Sequence, residues 1–140
     1  MVIENFTLWL RPPGADAAAE RPACGPKTGA AALLVGAAHR DGHYSGVERD
    51  LVTAALMKLF MLSNPDARAL RLEAEKVIGR GTDSAAAAQA ASELETETRE
   101  ALVRHLWAIG GKNADALVAA ASPHLGFSAA QADVLRPAEH

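Results

Sequence analysis

The run from Gly29 to Ala38 constrains the fold most strongly, because every residue in it is small or apolar. A helix that is apolar all round belongs at the centre of a domain, with other helices around it. Hydrophobic residues make up 49% of the chain and aromatic residues only 4%, so Ala, Leu and Val must build the core. Alanine-rich faces suit closely packed helices better than strands, which favour β-branched and aromatic residues. The sequence therefore predicts an all-α fold around this central helix.

The central helix is expected to begin at an N-cap near Thr28 and to end near Arg40. Gly36 lies inside it and lowers its helix propensity, since glycine loses more backbone freedom than alanine. A glycine in such a helix is better explained by a close neighbour than by helix formation. We therefore expect Gly36 to mark the point where a second helix approaches.

A second helix is predicted from Ser45 to about Met61. Ser45 and Glu48 have the spacing of a capping box, in which the serine is the N-cap and the glutamate is the third helical residue. The residues expected to mark its inward face are Val47, Leu51, Ala54, Ala55, Lys58 and Leu62. The residues expected on the solvent side are Arg49, Asp50 and Thr53.

The rest of the chain is predicted to form further helices with short connections, and no strand pattern competes with them. These helices cover about residues 64–79, 84–92, 95–109, 114–121 and 128–136. Four of the seven prolines fall between residues 12 and 26, which is typical of a linker. We expect residues 1–27 to form an N-terminal arm or short helix with a Pro-rich linker. Residues 28–140 are expected to form one compact bundle of six to seven helices.

Charge and cysteine content limit the class of protein. The net charge is -3, and the isoelectric point is near 5.9, which argues against nucleic-acid binding because that needs a concentrated basic face. Cys24 is the only cysteine, so no internal disulfide forms and a reducing compartment is expected. The N-terminus shows no signal-peptide pattern, and the longest small-apolar run is about half a membrane span. These features predict a cytoplasmic protein without a transmembrane segment.

The turn between the first two helices gathers residues that bind metal ions. Asp41 and Glu48 offer carboxylates, and His39 and His43 offer imidazoles on either side of Asp41. Together they are the candidate ligands of a divalent cation. A calcium EF-hand is excluded, because a loop counted from Asp41 has His43 at its third position and Val52, not glutamate, at its twelfth.

The same turn also has a purely structural interpretation. Asp41-Gly42 is a common turn pair, Glu48 completes a capping box, and His39 suits the C-terminus of a helix. The spacing leaves both interpretations open. An enzyme is not expected, since Cys24 has no base near it in sequence and no phosphate-binding loop is visible.

The order of these motifs resembles the TerB-like family, named after tellurite-resistance protein B. The family pattern is an apolar helix, an Asp-Gly turn and a glutamate one turn into the next helix, which matches Asp41, Gly42 and Glu48. The resemblance continues with Glu97–Trp107 and with Leu125–Ser128. Together these stretches cover about residues 28–136.

The resemblance implies an all-helical, non-enzymatic domain that acts in stress responses to tellurite, metals or phage. It also implies a divalent metal ion at Asp41 and Glu48, which match the first half of the family's acidic site. The second Asp-Gly turn is replaced by Gly110-Gly111-Lys112, so His39, His43 or another chain is expected to complete the shell.

The alternative is a metal-free helical module for protein–protein interaction. Its apolar surfaces, including Phe6 and Trp9 of the arm, would be covered by a protein partner or by self-association. Because TerB-like domains often act beside membrane-associated partners, the resemblance also allows peripheral membrane association.

Overall fold

The structure is a computed structural model that describes residues 24–39, 44–111 and 114–136. Within these ranges the chain forms helices and no strand, as the sequence predicts. The seven helices are α1 (Pro26–Ala38), α2 (Gly46–Phe60), α3 (Asn64–Gly79), α4 (Ser84–Ala91), α5 (Thr96–Gly110), α6 (Ala114–Leu125) and α7 (Ala129–Val134). The all-α bundle is therefore confirmed. Phe6, Trp9 and most of the predicted linker lie outside the described residues.

Helix α1 is the centre of the bundle and packs against α2, α3, α4, α5 and α6. All of its residues from Gly29 to Ala38 are buried except Gly36. It begins two residues before the predicted cap at Thr28, because Pro26 occupies the first helical turn and Gly25 is the N-cap. No helix in the described ranges is both long and apolar enough to cross a membrane.

The close approach to α1 occurs at Gly29, not at Gly36 as the sequence predicted. A Cβ atom at position 29 would lie 2.5 Å from the carbonyl oxygen of Ala87 and 2.9 Å from the Cβ of Ala90. A Cβ atom at position 36 would meet only a methyl group of Leu117, at 3.9 Å. Gly29 therefore lets α4 pack directly on α1, whereas Gly36 faces solvent.

Helix α2 begins and ends as predicted, and Ala55 is buried as expected, but other parts of its predicted inward face are wrong. Val47 is 67% exposed and Leu51 45% exposed, whereas Thr53 is only 5% exposed. The hydroxyl of Thr53 donates to the carbonyl of Arg49 at 3.0 Å and accepts from Nε of Arg71 at 3.1 Å. Because both bonds are made inside the bundle, burying Thr53 leaves no polar group unpaired.

Helix α6 continues through Pro123 to Leu125, although the sequence predicted that it ends before the proline. A proline removes one backbone donor and crowds the carbonyl four residues earlier. Here only two helical residues follow Pro123. The carbonyl of Leu125, at the end of the helix, accepts a hydrogen bond from Nη1 of Arg99, which ties this end of α6 to α5. A proline so close to the helix end is tolerated.

His105 lies half-buried on α5, where burial and then the nearby charge of Lys58 lower its pKa. In the unfolded chain the His105 imidazole has the ordinary pKa of about 6.5, so it becomes protonated at a higher pH than in the folded protein. The neutral His105 side chain therefore contributes fully to the stability of the folded protein above the ordinary pKa of the unfolded chain. This contribution is lost as the pH falls from that pKa towards the lowered pKa of the folded protein. We expect acidification from pH 7.5 to 5.5 to destabilise wild type more than His105→Gln in urea unfolding. Equal losses in the two proteins would contradict this assignment.

Candidate functional site

His39 begins the turn and is held at the C-terminus of α1. Its backbone N–H donates to the carbonyls of Val35 and Gly36, at 3.1 and 3.2 Å. Its imidazole stacks on the ring of Tyr44, with the ring centroids 4.3 Å apart and the planes 16° from parallel. The two ends of the segment 39–44 are therefore joined by an aromatic contact, which fixes the orientation of the His39 ring.

Glu48 lies in the first turn of α2 and completes the predicted capping box. Its Oε1 accepts from the backbone N–H of Ser45 at 2.9 Å and also from the Ser45 hydroxyl. These bonds satisfy the start of the helix and hold the carboxylate beside the turn. The structural interpretation of Glu48 is therefore confirmed, and its carboxylate has a defined position.

The other two predicted ligands, Asp41 and His43, lie outside the described residues. Within residues 24–39, 44–111 and 114–136, no three His, Cys, Asp or Glu side chains form a group that could hold a metal ion. His39 and Glu48 are thus placed at the two ends of the turn, each with a partner inside it. The full set of four ligands stays a prediction.

Beneath the turn lies a polar network formed by Tyr44, Thr53, Arg71 and Glu75. Oε2 of Glu75 accepts from the Tyr44 hydroxyl and from Nη1 of Arg71, the latter at 2.6 Å. Nε of Arg71 donates to Thr53 at 3.1 Å. Since Tyr44 is 31 residues from Glu75 in the chain, this network attaches the turn to α3 and α2.

Arg71 is the central charge of the polar network and is only 8% exposed. Burial alone lowers its pKa, but the bonds to Glu75 and Tyr44 outweigh burial and raise the pKa above the ordinary value. Burial, followed by the bond to Glu75, raises the pKa of Tyr44. Arg71 therefore stays charged and Tyr44 stays a neutral donor across the physiological range. The network has one stable pattern of donors and acceptors.

A groove of about 450 Å³ opens between the turn and α3. It is lined by Val35, His39, Tyr44, Arg49, Arg71, Leu72, Glu75, Ile78 and Gly79. Arg49 lies over the ring of Tyr44, 5.6 Å from its centroid. Two guanidinium groups thus face one carboxylate, and aliphatic side chains form much of the remaining wall. The groove suits an apolar group with a negative charge better than a bare cation.

Tyr44, Arg71 and Glu75 are not among the site residues that the sequence predicts, although the sequence carries one signal for Arg71. Arg71 falls four residues after Ala67 and three before Ala74, both of which face the core. A charged residue within an apolar stripe must be paired if it is buried. The pairing with Glu75 four residues later was therefore readable from the sequence. The bond from Tyr44 was not, because it joins distant segments.

Comparison with protein families gives one match. The family model described as "Tellurite resistance protein TerB" matches residues 27–133. This range covers α1 from its second residue, all of α2 to α6 and most of α7, together with the turn and the groove. Searches of the curated proteins and of the solved structures found no match.

Proposed function

The chain belongs to the TerB family of tellurite resistance proteins, and on that premise we propose that it is a non-enzymatic stress-response domain that binds a divalent cation. The site is the turn between α1 and α2. Its ligands are the carboxylates of Asp41 and Glu48 and the imidazoles of His39 and His43. Carboxylate and imidazole groups together suit a borderline divalent metal such as manganese, nickel or zinc.

One observation carries this proposal: both ends of the turn are fixed before any ligand binds. The His39 ring is held by stacking on Tyr44, and the Glu48 carboxylate is held by Ser45. Ligands that are already oriented lose less conformational entropy when they bind. The His39 and Glu48 ligands would therefore lose little conformational freedom when a cation binds.

The charges in the groove support a position of the cation outside the groove. Arg49 and Arg71 repel a cation from the groove, and Glu75 is already paired with Arg71 at 2.6 Å. Glu48 does not line the groove. We therefore propose that the ion lies toward Glu48, at the edge of the groove that His39 lines, and not inside the groove with the two guanidinium groups.

Calorimetry with calcium, magnesium, manganese, zinc and nickel tests the proposal. Glu48→Gln is the informative variant, because glutamine also completes a capping box while it removes the charge. We expect one ion per chain in wild type and binding at least about tenfold weaker in Glu48→Gln and Asp41→Asn. Asp50→Asn, an exposed acid on α2, is the matched control and should bind as wild type does. Identical heats in wild type and Asp41→Asn for every ion would contradict the proposal.

A metal-free interaction module is the second candidate function, and the exposed face of α2 favours it. Val47 and Leu51 lie one turn apart on this face, and both are large and exposed. Such surfaces are commonly covered by a partner or a second copy. If this second function is correct, the protein partners that the family resemblance implies, including membrane-associated proteins, bind to this interaction module.

Sedimentation over a range of protein concentrations tests self-association through this face. If the face joins two copies, wild type should form dimers, and Leu51→Lys should remain monomeric. Val134→Lys is the control, because Val134 is an exposed apolar residue on α7. Dimers that persist in Leu51→Lys, or that are lost equally in Val134→Lys, would contradict an interface at α2.

A further inference from the structure

A second cleft, separate from the turn, lies between α5, α6 and α7 and has a volume of about 180 Å³. Most of its wall is apolar. The residues that line it include Trp107, Asp115, Val118, Pro123, Ala129 and Asp133. Asp115 and Asp133 are exposed, and they are the only charged residues among those that line the cleft. The cleft therefore combines an apolar wall with two negative charges.

The guanidinium group of Arg136 lies at the acidic rim of this cleft, although Arg136 is not among the residues that line it. Its Nη2 donates to Asp115 at 2.9 Å, and its Nε lies 3.6 Å from Asp133. Its central carbon lies 4.2 Å from the centroid of the Trp107 ring. That ring is nearly buried and is held by a hydrogen bond of 2.9 Å from its Nε1 to the carbonyl of Ala132. The aromatic surface is therefore rigid.

We propose that this cleft is a binding site for an arginine side chain of a protein partner, and that Arg136 occupies its acidic rim in the free protein. The face of Trp107 attracts a cation, and two carboxylates recognise the planar donors of a guanidinium group. The apolar wall receives the methylene stem that carries this group. The chain's own arginine shows which chemistry the site accepts. This proposal does not depend on the cation at the turn.

The internal contact is weak enough to be displaced. Arg136, Asp115 and Asp133 are all substantially exposed, so water screens the ion pairs. An exposed ion pair or cation–π contact of this kind shifts an equilibrium by about fivefold. A ligand that competes with Arg136 loses affinity by about the same factor. Removing the Arg136 side chain should therefore strengthen binding of an external arginine about fivefold.

Fluorescence of Trp107 tests the proposal directly. Substituting Trp9→Phe leaves Trp107 as the only tryptophan, and this background is used for every variant. The probe is the peptide acetyl-Gly-Arg-Gly-amide, compared with the same peptide carrying citrulline, which has the shape of arginine without its charge. We expect saturable binding of the arginine peptide, about fivefold tighter in Arg136→Ala, and none of the citrulline peptide. Adding Asp115→Asn and Asp133→Asn to Arg136→Ala should abolish it.

Arg104→Ala is the matched control, because Arg104 is an exposed arginine of α5 that does not line the cleft. It should bind as the background protein does. If Arg136→Ala loses its helical circular dichroism, Arg136→Gln takes its place and keeps a flat polar group over the ring. Equal binding of the arginine and citrulline peptides, or no binding by either variant, overturns the proposal. Trp107 emission that changes with protein concentration in wild type, and not in Arg136→Ala, would identify a second copy as the occupant and overturn it as well.

Discussion

Replacing Gly29 by alanine should destabilise the protein by about 2 kcal/mol, although alanine is the better helix former. The new methyl group would lie 2.5 Å from the carbonyl oxygen of Ala87. This oxygen belongs to the backbone of α4, so no side chain can rotate away to make room. Helices α1 and α4 would have to separate, and the buried alanines between them would lose van der Waals contact. Urea unfolding followed by circular dichroism measures the change.

The matched control is the same substitution at Gly36, seven residues later in α1. No atom comes closer than 3.9 Å to a Cβ atom there, and the glycine is exposed. Gly36→Ala should therefore stabilise the protein by about 0.5–1 kcal/mol, because alanine loses less backbone entropy in a helix. Opposite signs at the two positions are the expected result. A stabilised Gly29→Ala protein would show that α4 does not pack on α1 at this point.

The two glycines show how far the sequence determines the core. The composition of the run from Gly29 to Ala38 identifies the central helix, since none of its side chains can form a hydrogen bond with water. The same uniformity conceals the orientation of the helix, because no polar residue marks an outer side. Only the packing of α4 distinguishes Gly29 from Gly36. Its contact with α1 joins residues almost sixty positions apart, and periodicity within α1 carries no information about it.

Helix α2 shows a different limit of sequence reasoning. Its ends could be predicted, because capping depends on neighbours three residues apart, such as Ser45 and Glu48. Its inward face could not, because Thr53 is buried through a bond to Arg71, which is 18 residues away. When no hydrogen-bond partner is evident in the sequence, a threonine is expected on the solvent side of a helix. The predicted face with Val47 and Leu51 followed from that assignment.

In the candidate site, too, the local features could be predicted from the sequence and the long-range contacts could not. Local spacing correctly assigned Glu48 to the capping box and placed His39 at the end of α1. Spacing did not indicate that Glu75 of α3 lies beneath the turn, since this contact depends on the fold. The fixed geometry of the turn therefore rests on a network in which only the Arg71–Glu75 pair is readable from the sequence, whereas its bonds to Tyr44 and Thr53 depend on the fold.

Removing the charge of Glu75 should destabilise the protein by about 2 kcal/mol, because Arg71 would be left buried without its counter-ion. A fully buried pair would cost more. Here the Glu75 side chain keeps 26% exposure, so water replaces part of the lost interaction. Glu75→Gln is the variant of choice, since its amide oxygen still accepts from the Tyr44 hydroxyl. The measured quantity is the free energy of unfolding in urea at pH 7.

Three further proteins, Glu73→Gln, Arg71→Met and the double variant Arg71→Met/Glu75→Gln, decide whether the loss comes from the buried charge. Glu73→Gln removes an acid from the same helix, and the contact of this acid with Arg80, at 3.6 Å, is exposed. The substitution should therefore change the free energy of unfolding by less than about 0.5 kcal/mol. Arg71→Met combined with Glu75→Gln removes both charges, so it should cost about 1–2 kcal/mol less than the two single losses added together. Strict additivity would mean that Arg71 and Glu75 do not stabilise each other. The turn would then have to be fixed by the His39–Tyr44 stack and the capping box alone.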